Sequence, residues 1–440
     1  MIRDGLPKMS ARPLRIAWLG PFPGDAGVLG VATELLEGLA NLGHRIDYFA
    51  RTTEKEIPPG LARFENLTFV WGTLNWHWNR WYSRGRLGAF MSGLLSQGIA
   101  TARLRKEIVC RHEQEPYDVI YQFSNIETLA VSSRLARAVP LVIHPETHIA
   151  GELKFVLAER SLCLRCQPRR VFATVVTIML IRALVQRVSV RRARLLVCIS
   201  SVFRDHLVHD YGFAVDRTTV IPNPVRIDRF STVERRAGEP PTVLVLGRIA
   251  ARKGVEDVVA VARALLERGV AVKLRVVGGP SLWSDYTKLL QDLPQENAEY
   301  VGEVPSSGVP GELARSDILL QASKYEPFGL TVAEALAAGI PVVATSEVGA
   351  IEGVDRSVVA EVEPGDVQGM ATAIAAMLTR LATAPTEMGT LAQAEAGRLF
   401  ASERVCAQIS LALEELVDGG GHPRAGRTSR ARTSSEAGIV

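Results

Sequence analysis

The chain has 440 residues, which corresponds to two or three domains at about 150 residues each. Apolar residues make up 47% and charged residues 22% of the sequence, values that are typical of a globular protein and exclude a disordered, collagenous or disulfide-scaffold chain. A formal net charge of +4 predicts no nucleic-acid partner, and five sparse cysteines predict a reduced, cytoplasmic protein without a signal peptide.

The first half alternates apolar runs of strand length with helical patterns, which is typical of parallel βαβ units. Residues 14–19 are the first predicted strand, and residues 20–27 form a turn-rich loop. The next helix has an apolar face at Val31, Leu35, Leu39 and Leu42. Further strands are predicted at residues 46–50, 67–71, 118–123, 141–144 and 195–199.

The second half repeats this pattern after a predicted linker, Glu239-Pro-Pro241. Strands are predicted at residues 242–246, 272–277, 318–321 and 341–344. One helix face is predicted at Val255, Val258, Val259, Ala262 and Leu266. The fold class predicted is α/β: two Rossmann-like, doubly wound domains, residues 1–225 and 226–395, with the site in the cleft between them.

The C-terminal part has two predicted segments. Residues 396–418 form an amphipathic helix whose apolar positions are Leu399, Phe400, Val405, Ile409, Leu413 and Leu416. Residues 419–440 are rich in Gly, Ser, Thr and Arg and poor in apolar residues, so we expect a disordered tail.

A loop between a buried strand and a helix, Gly247 to Gly254, carries Arg248 and Lys253. Cations beside a helix N-terminus suit a diphosphate, because the helix end offers free N–H groups and arginine binds phosphate bidentately. The ending Gly-Lys-Ser/Thr of a Walker loop is missing. A solvated basic loop is the alternative interpretation.

A second segment carries two carboxylates, Glu326 and Glu334. Glu326 precedes a predicted helix whose first turn exposes the N–H groups of Phe328, Gly329 and Leu330. Within the helix, Glu334 is placed to accept hydrogen bonds from ribose hydroxyls, and Glu326 to hold sugar hydroxyls. The alternative is that both carboxylates cap or brace the helix.

Together the two segments resemble the retaining, family-4 glycosyltransferases of the GT-B fold, over about residues 14 to 417. The motifs that carry the resemblance are Leu246-Gly-Arg-Ile-Ala-Ala-Arg-Lys-Gly254, Val277-Gly-Gly-Pro280, Ser323-Lys-Tyr-Glu-Pro-Phe-Gly-Leu-Thr-Val-Ala-Glu-Ala335 and Ala338-Gly-Ile-Pro-Val-Val-Ala-Thr345. The resemblance implies a C-terminal helix that crosses back onto the first domain, and a metal-independent reaction. The absence of Asp-x-Asp from the sequence agrees with the latter.

The same resemblance implies roles for individual residues. Arg248 and Lys253 would hold the donor diphosphate, Glu326 the donor sugar, and Glu334 the ribose. His144, at the end of a strand of the acceptor half, matches the family's cleft histidine. The further residues expected to bind the donor are Gly27, Gly247, Gly278, Phe328, Gly329 and Leu330.

The implied activity is that of a retaining hexosyltransferase that uses a nucleotide-diphosphate sugar, with an unidentified acceptor and without cofactor or metal. Two alternatives stay open: a sugar-nucleotide epimerase of the same fold, and a non-catalytic assembly protein on a membrane surface. The first would convert a sugar nucleotide without an acceptor, and the second would bind none.

Three features lie outside the predicted donor site. A cluster of tryptophans interleaved with arginines contains Trp71, Trp76, Trp78 and Trp81. It is interpreted either as core packing or as a contact with an acceptor or a membrane. An apolar run, residues 171–181, is followed by Arg182, Arg187, Arg191, Arg192 and Arg194. It is too short to span a membrane and fits an interdomain helix or a peripheral membrane contact. Cys163 and Cys166 form a lone pair, whereas a structural zinc needs four ligands; His144 and His148 are the plausible further ligands, so a zinc site stays an alternative.

Overall fold

The computed structural model describes residues 12–25, 27–74, 86–123, 130–232, 239–280 and 285–419. Trp76, Trp78 and Trp81 lie outside these residues, as does the predicted tail beyond Gly419. Within them the chain forms two parallel sheets with helices packed on both faces. The predicted pair of doubly wound α/β domains is thereby confirmed.

The first sheet has seven parallel strands in the order β3-β2-β1-β4-β5-β6-β7. Their bounds are β1 (Arg15–Leu19), β2 (Arg45–Thr52), β3 (Leu67–Leu74), β4 (Val119–Phe123), β5 (Leu141–His144), β6 (Leu195–Cys198) and β7 (Thr218–Val220). Strand order reverses between β1 and β4, where Ile16 lies opposite Val119. In such sheets, ligands bind at the carboxyl ends of the strands beside this reversal.

Eight helices join these strands within the described residues: α1 (Gly27–Asn41), α2 (Pro59–Ala62), α3 (Arg86–Gln114), α4 (Leu135–Ala138), α5 (Ile149–Ala158), α6 (Arg160–Cys166), α7 (Arg169–Val190) and α8 (Ser201–Tyr211). The predicted apolar face of α1 is buried at Val31, Leu35 and Leu39. α7 is much longer than the apolar run at residues 171–181, because helical backbone continues through Arg182 and Arg187.

The second sheet has six parallel strands in the order β10-β9-β8-β11-β12-β13. Their bounds are β8 (Thr242–Leu246), β9 (Lys273–Val277), β10 (Ala298–Gly302), β11 (Ile318–Gln321), β12 (Val342–Thr345) and β13 (Val359–Val362). The sequence did not predict β10 and β13. Both are edge strands in which only the first residue is buried, so neither carries the continuous apolar run of a central parallel strand.

The helices of the second half are α9 (Ile227–Ser231), α10 (Val255–Glu267), α11 (Val309–Ala314), α12 (Leu330–Ala337), α13 (Val367–Thr383), α14 (Pro385–Phe400) and α15 (Ser402–Asp418). α9 already packs against α12 and α14, so the chain has crossed between the halves before the predicted linker at Glu239. In α10 the predicted core position Leu266 is wrong: Leu266 is 40% exposed, and Leu265 is buried in its place.

The predicted C-terminal helix is two helices, because the backbone is extended at Ala401 between α14 and α15. Val225 pairs with Ala401 there, and its N–H donates to the carbonyl of Phe400 at 2.8 Å. α15 then packs on α1 of the first half, where the Ser402 hydroxyl donates to Glu34 at 2.6 Å. This is the crossing back that the resemblance implied.

Candidate functional site

A cleft of about 700 Å³ lies between the two sheets, at the carboxyl ends of their strands. One wall comes from the loop after β1 and the start of α1. The opposite wall comes from the loops after β8 and β9 and from α12. The predicted site residues on these walls are Gly27, Gly247, Arg248, Gly278, Leu330 and Glu334.

Glycines bring the loops after β8 and β9 close together. The N–H of Gly247 donates to Val277 at 3.0 Å, and the N–H of Ile249 donates to Gly279 at 2.8 Å. A Cβ atom on Gly278, whose φ is +155°, would lie 1.8 Å from the carbonyl oxygen of Gly247. Only glycine fits there, so the wall of the cleft presents bare backbone to a ligand.

Arg248 lies on the wall of the cleft, and its charge is not neutralised by an ion pair with any described residue. Its side chain is exposed, and among the described residues no hydrogen bond or ion pair engages its guanidinium. Arg248 also lines a smaller pocket with Lys253, next to the 3-10 turn Ala251–Lys253. An exposed guanidinium without such a partner is available to bind an anionic ligand.

Glu326 is bound by two cations from this turn. Arg252 Nη1 lies 2.9 Å from Glu326 Oε2, and Lys253 Nζ pairs with the same oxygen. Burial by itself would raise the pKa of Glu326, but Lys253 and Arg252 outweigh it and lower the pKa to about 2. Glu326 is therefore a carboxylate at neutral pH, and its charge is shared with both cations.

Arg252 is a site residue that sequence reasoning missed. Its Nη1 donates to the carbonyl of Tyr325 at 3.2 Å, and its Nε lies 3.8 Å from Glu152 on α5. Arg252 thus links the turn Ala251–Lys253 to the first half of the chain. The only sequence signal was its position beside Lys253, because its partners are remote in sequence.

The start of α12 turns away from Glu326 at Gly329, whose φ of +97° suits glycine. Leu330, the first residue of α12, lines the cleft. Phe328 does not: its side chain is buried, its ring packs edge-on against Phe400 at 5.6 Å, and its carbonyl accepts from Ala350. The prediction for Phe328 concerned its backbone N–H group, and its role in donor binding stays a prediction.

Glu334 lies one turn further along α12, facing the cleft. Burial raises the pKa of Glu334 to about 7, against a smaller opposing effect of Arg229. Arg229, also missed by sequence reasoning, spans both halves, because it donates to Asp25 at 2.8 Å and to Ser306 at 2.6 Å. The cleft thus holds a carboxyl group that titrates near neutral pH.

His144 lies at the end of β5 with no exposed surface. Its Nδ1 is 2.6 Å from the Tyr121 hydroxyl, and its Nε2 is 3.4 Å from Glu146, which accepts from Asn223 at 2.8 Å. Burial lowers the pKa of His144 to about 3 and raises that of Glu146 to about 8. The imidazole of His144 is therefore enclosed and does not line the cleft, and its catalytic role stays a prediction.

Two family descriptions match consecutive parts of the chain: "Glycosyltransferase Family 4" over residues 26–229 and "Glycosyl transferases group 1" over residues 227–388. Over 353 residues the chain is 30% identical to a D-inositol 3-phosphate glycosyltransferase of Actinosynnema mirum, which covers 74% of this chain and 77% of that enzyme. The chain belongs to the family-4 glycosyltransferases of the GT-B fold.

The chain is also similar to proteins that match a shorter part of it or that show the fold alone. Mannosylfructose-phosphate synthase of Agrobacterium fabrum is 29% identical over 173 residues, 35% of this chain and 38% of that enzyme. The structure of sucrose-phosphate synthase from Thermosynechococcus elongatus aligns with a TM-score of 0.66 at 20% identity, over 92% of this chain and all of that one. Anabaena HepE, solved with UDP and glucose, aligns with a TM-score of 0.60 at 19% identity over the same shares.

The residues predicted to bind the donor fall into two groups by position. Arg248 and Glu334 lie on the wall of the large cleft, whereas Lys253 and Glu326 form an ion pair next to it. The Sγ atom of Cys163 lies 2.9 Å from the hydroxyl of Tyr286 in the second half. Among the described residues, no group of three or more His, Cys, Asp or Glu side chains is arranged to hold a metal.

Proposed function

We propose that this family-4 glycosyltransferase moves a hexosyl group from a nucleoside-diphosphate donor to an acceptor hydroxyl, with retention of configuration. The observation that carries the proposal is the uncommitted guanidinium of Arg248 on the same cleft wall as Glu334 and the backbone of Gly247 and Gly278. That wall offers a cation and close backbone for a diphosphate, and a carboxyl group for a ribose.

Charge at this end of the cleft favours a departing diphosphate. Three cations, Arg248, Arg252 and Lys253, face the carboxylates of Glu326 and Glu152, which leaves one positive charge in excess. The excess positive charge is fixed in place before reaction, so it stabilises the charge that develops on the diphosphate as the sugar–oxygen bond breaks. Glu326, held at its carboxylate by two cations, is positioned to accept hydrogen bonds from the donor sugar. No covalent nucleophile is assigned.

The test is a panel of nucleotide sugars, assayed for released nucleotide with and without candidate acceptors. We expect one donor to be hydrolysed slowly alone and faster with the correct acceptor, and NMR of the product to show the donor's anomeric configuration. An inverted product would contradict retention. Conversion of the donor into its epimer without acceptor would contradict transfer altogether.

Removal of divalent metal is expected to leave turnover unchanged. Arg248 and Lys253 lie together at one pocket and supply the positive charge that Mg²⁺ supplies in metal-dependent enzymes. The measurement is initial rate after dialysis against EDTA, with EDTA-treated enzyme plus Mg²⁺ or Mn²⁺ as the control. A rate lost on chelation and restored by either metal would contradict this assignment.

Glu334 is expected to make donor binding depend on pH. Its pKa of about 7 means that raising the pH from roughly 6 to 8 converts it to a carboxylate, the stronger acceptor for ribose hydroxyls. Donor KM should fall over this range in the wild type and stay level in Glu334→Gln. Since the ribose is unchanged during reaction, kcat should change less than KM.

The stability of the same variant distinguishes a role of Glu334 in donor binding from a role in bracing α12. A carboxyl group whose folded pKa lies above its unfolded value holds its proton longer in the folded state. The wild type should therefore lose stability as pH rises from about 4.5 to about 7, and Glu334→Gln should not. A changed stability profile with unchanged donor KM would show that Glu334 only braces α12.

A further inference from the structure

α7 presents an apolar face to solvent. The outer face of α7, defined here as Ala173, Thr177, Leu180, Ile181, Leu184 and Val188, follows helical spacing along one side. Leu184 and Val188 are 62% and 61% exposed, and Leu180 and Ile181 are nearly half exposed. A contiguous exposed stripe of large aliphatic side chains indicates an interaction surface.

The opposite side of α7 is fixed to the first half of the chain. Val175 and Met179 pack with Ile149 and Leu153 of α5 in a small buried cluster. Gln186 accepts from the N–H of Ile149 at 2.8 Å and donates to the carbonyl of Thr147 at 2.6 Å. α7 is therefore fixed on the surface of its domain, and its outer face is directed towards solvent.

Positive charge surrounds this face. Residues 169–194 contain seven arginines and no Asp or Glu. Arg170 lies at one end of α7, and Arg187 and Arg191 lie at the other; all three are exposed. Cations at both ends of an apolar helix face complement anionic lipid headgroups while the aliphatic side chains enter the acyl boundary.

We propose that α7 lies along an anionic membrane surface, with its outer face inserted at the level of the headgroups. Among the described residues, α7 is the one helix long and apolar enough to cross a membrane, with a mean hydropathy of 1.8 over its best window. Crossing would take Arg182, Arg187 and Gln186 into hydrocarbon and break the packing on α5. If α7 lies flat on the surface, these polar side chains stay out of the hydrocarbon and the packing on α5 is kept.

Vesicle binding of the full chain tests the proposal. The probes are vesicles of phosphatidylcholine alone and of equal parts phosphatidylcholine and phosphatidylglycerol, assayed by co-sedimentation. We expect the wild type to bind only the anionic vesicles, and high salt to release it. The double variant Leu180→Gln and Leu184→Gln should partition roughly tenfold more weakly or worse.

Matched controls use exposed residues elsewhere. Leu266→Gln with Leu411→Gln makes the same chemical change on α10 and α15, and should leave binding unchanged. Arg170→Gln and Arg187→Gln should each weaken binding to anionic vesicles, whereas Arg404→Gln on α15, which removes the same charge, should not. Circular dichroism and thermal melting of each variant establish that the fold is kept.

Three results would overturn the proposal. The first is no binding by the wild type, or binding that the α7 leucine variants do not change. The second is binding that resists high salt and alkaline carbonate, as expected of a membrane-spanning helix. The third is a lipid-free dimer that the α7 leucine variants dissociate, which would show that a second copy covers the face. None of these outcomes depends on the donor site, so failure here leaves the proposed transferase activity standing.

Discussion

Replacing Arg248 with alanine is expected to lower kcat by about 10²–10³-fold, the usual loss when one charge-stabilising group is removed from a transition state. The side chain is exposed in the cleft and has no ion pair among the described residues, so the fold should not depend on it. Steady-state kinetics with the preferred donor measure the loss, and melting temperature should stay the same.

Arg404→Ala is the matched control for this experiment. Arg404 is an exposed arginine on α15 that does not line the cleft, and its removal changes the net charge by the same amount. Near-normal turnover in Arg248→Ala would show that the diphosphate binds elsewhere. An equal loss in both variants would indicate a general charge effect instead of contact with the donor.

Glu326→Gln is expected to lose both stability and turnover. The variant leaves Arg252 and Lys253 largely buried without their shared carboxylate, and breaking such a pair costs about 3 kcal/mol of unfolding free energy. Turnover should also fall, because the amide carries no charge to stabilise a developing positive charge on the donor sugar. Chemical denaturation and kinetics on one preparation measure the two losses.

The pH dependence and a second substitution separate these two effects. Because the folded pKa of Glu326 is about 2, its stabilising contribution is complete above its unfolded pKa and declines as pH falls from about 4.5 towards 2. Glu326→Gln should lack this acid-dependent loss. Glu326→Gln leaves two cations without their shared carboxylate, and adding Arg252→Gln removes one of them. The double variant should therefore regain stability without regaining turnover. Recovery of turnover as well would limit Glu326 to a structural role.

Central elements of the fold were predictable because burial on both faces leaves a clear pattern in the sequence. The predicted strands at residues 141–144, 242–246 and 318–321 agree with β5, β8 and β11 to the residue. The edge strands β7, β10 and β13 were not predicted, because partial exposure removes the continuous apolar run. The break at Ala401 was missed for a related reason: apolar spacing continues across it.

The candidate site was predictable only where a local motif carries it. Arg248 and Glu334 follow strand-to-loop and helix patterns and reach the cleft as expected. Arg229 and Arg252 were missed, because their roles come from Asp25, Ser306, Glu326 and Glu152, all remote in sequence. His144 was placed on the cleft by motif, but the sequence gives no measure of how deeply Tyr121 and Glu146 enclose it.

The paired backbone at Val225 and Ala401 has a mechanical consequence. The polypeptide passes between the halves at these two positions, and a hydrogen bond fastens the passages side by side. Two adjacent connections act as a single pivot: they resist sliding and separation but permit rotation about a common axis. We therefore expect the cleft to open by a swing of one half against the other. Side-chain contacts between the halves, such as Glu152 with Arg252, would have to change during that swing.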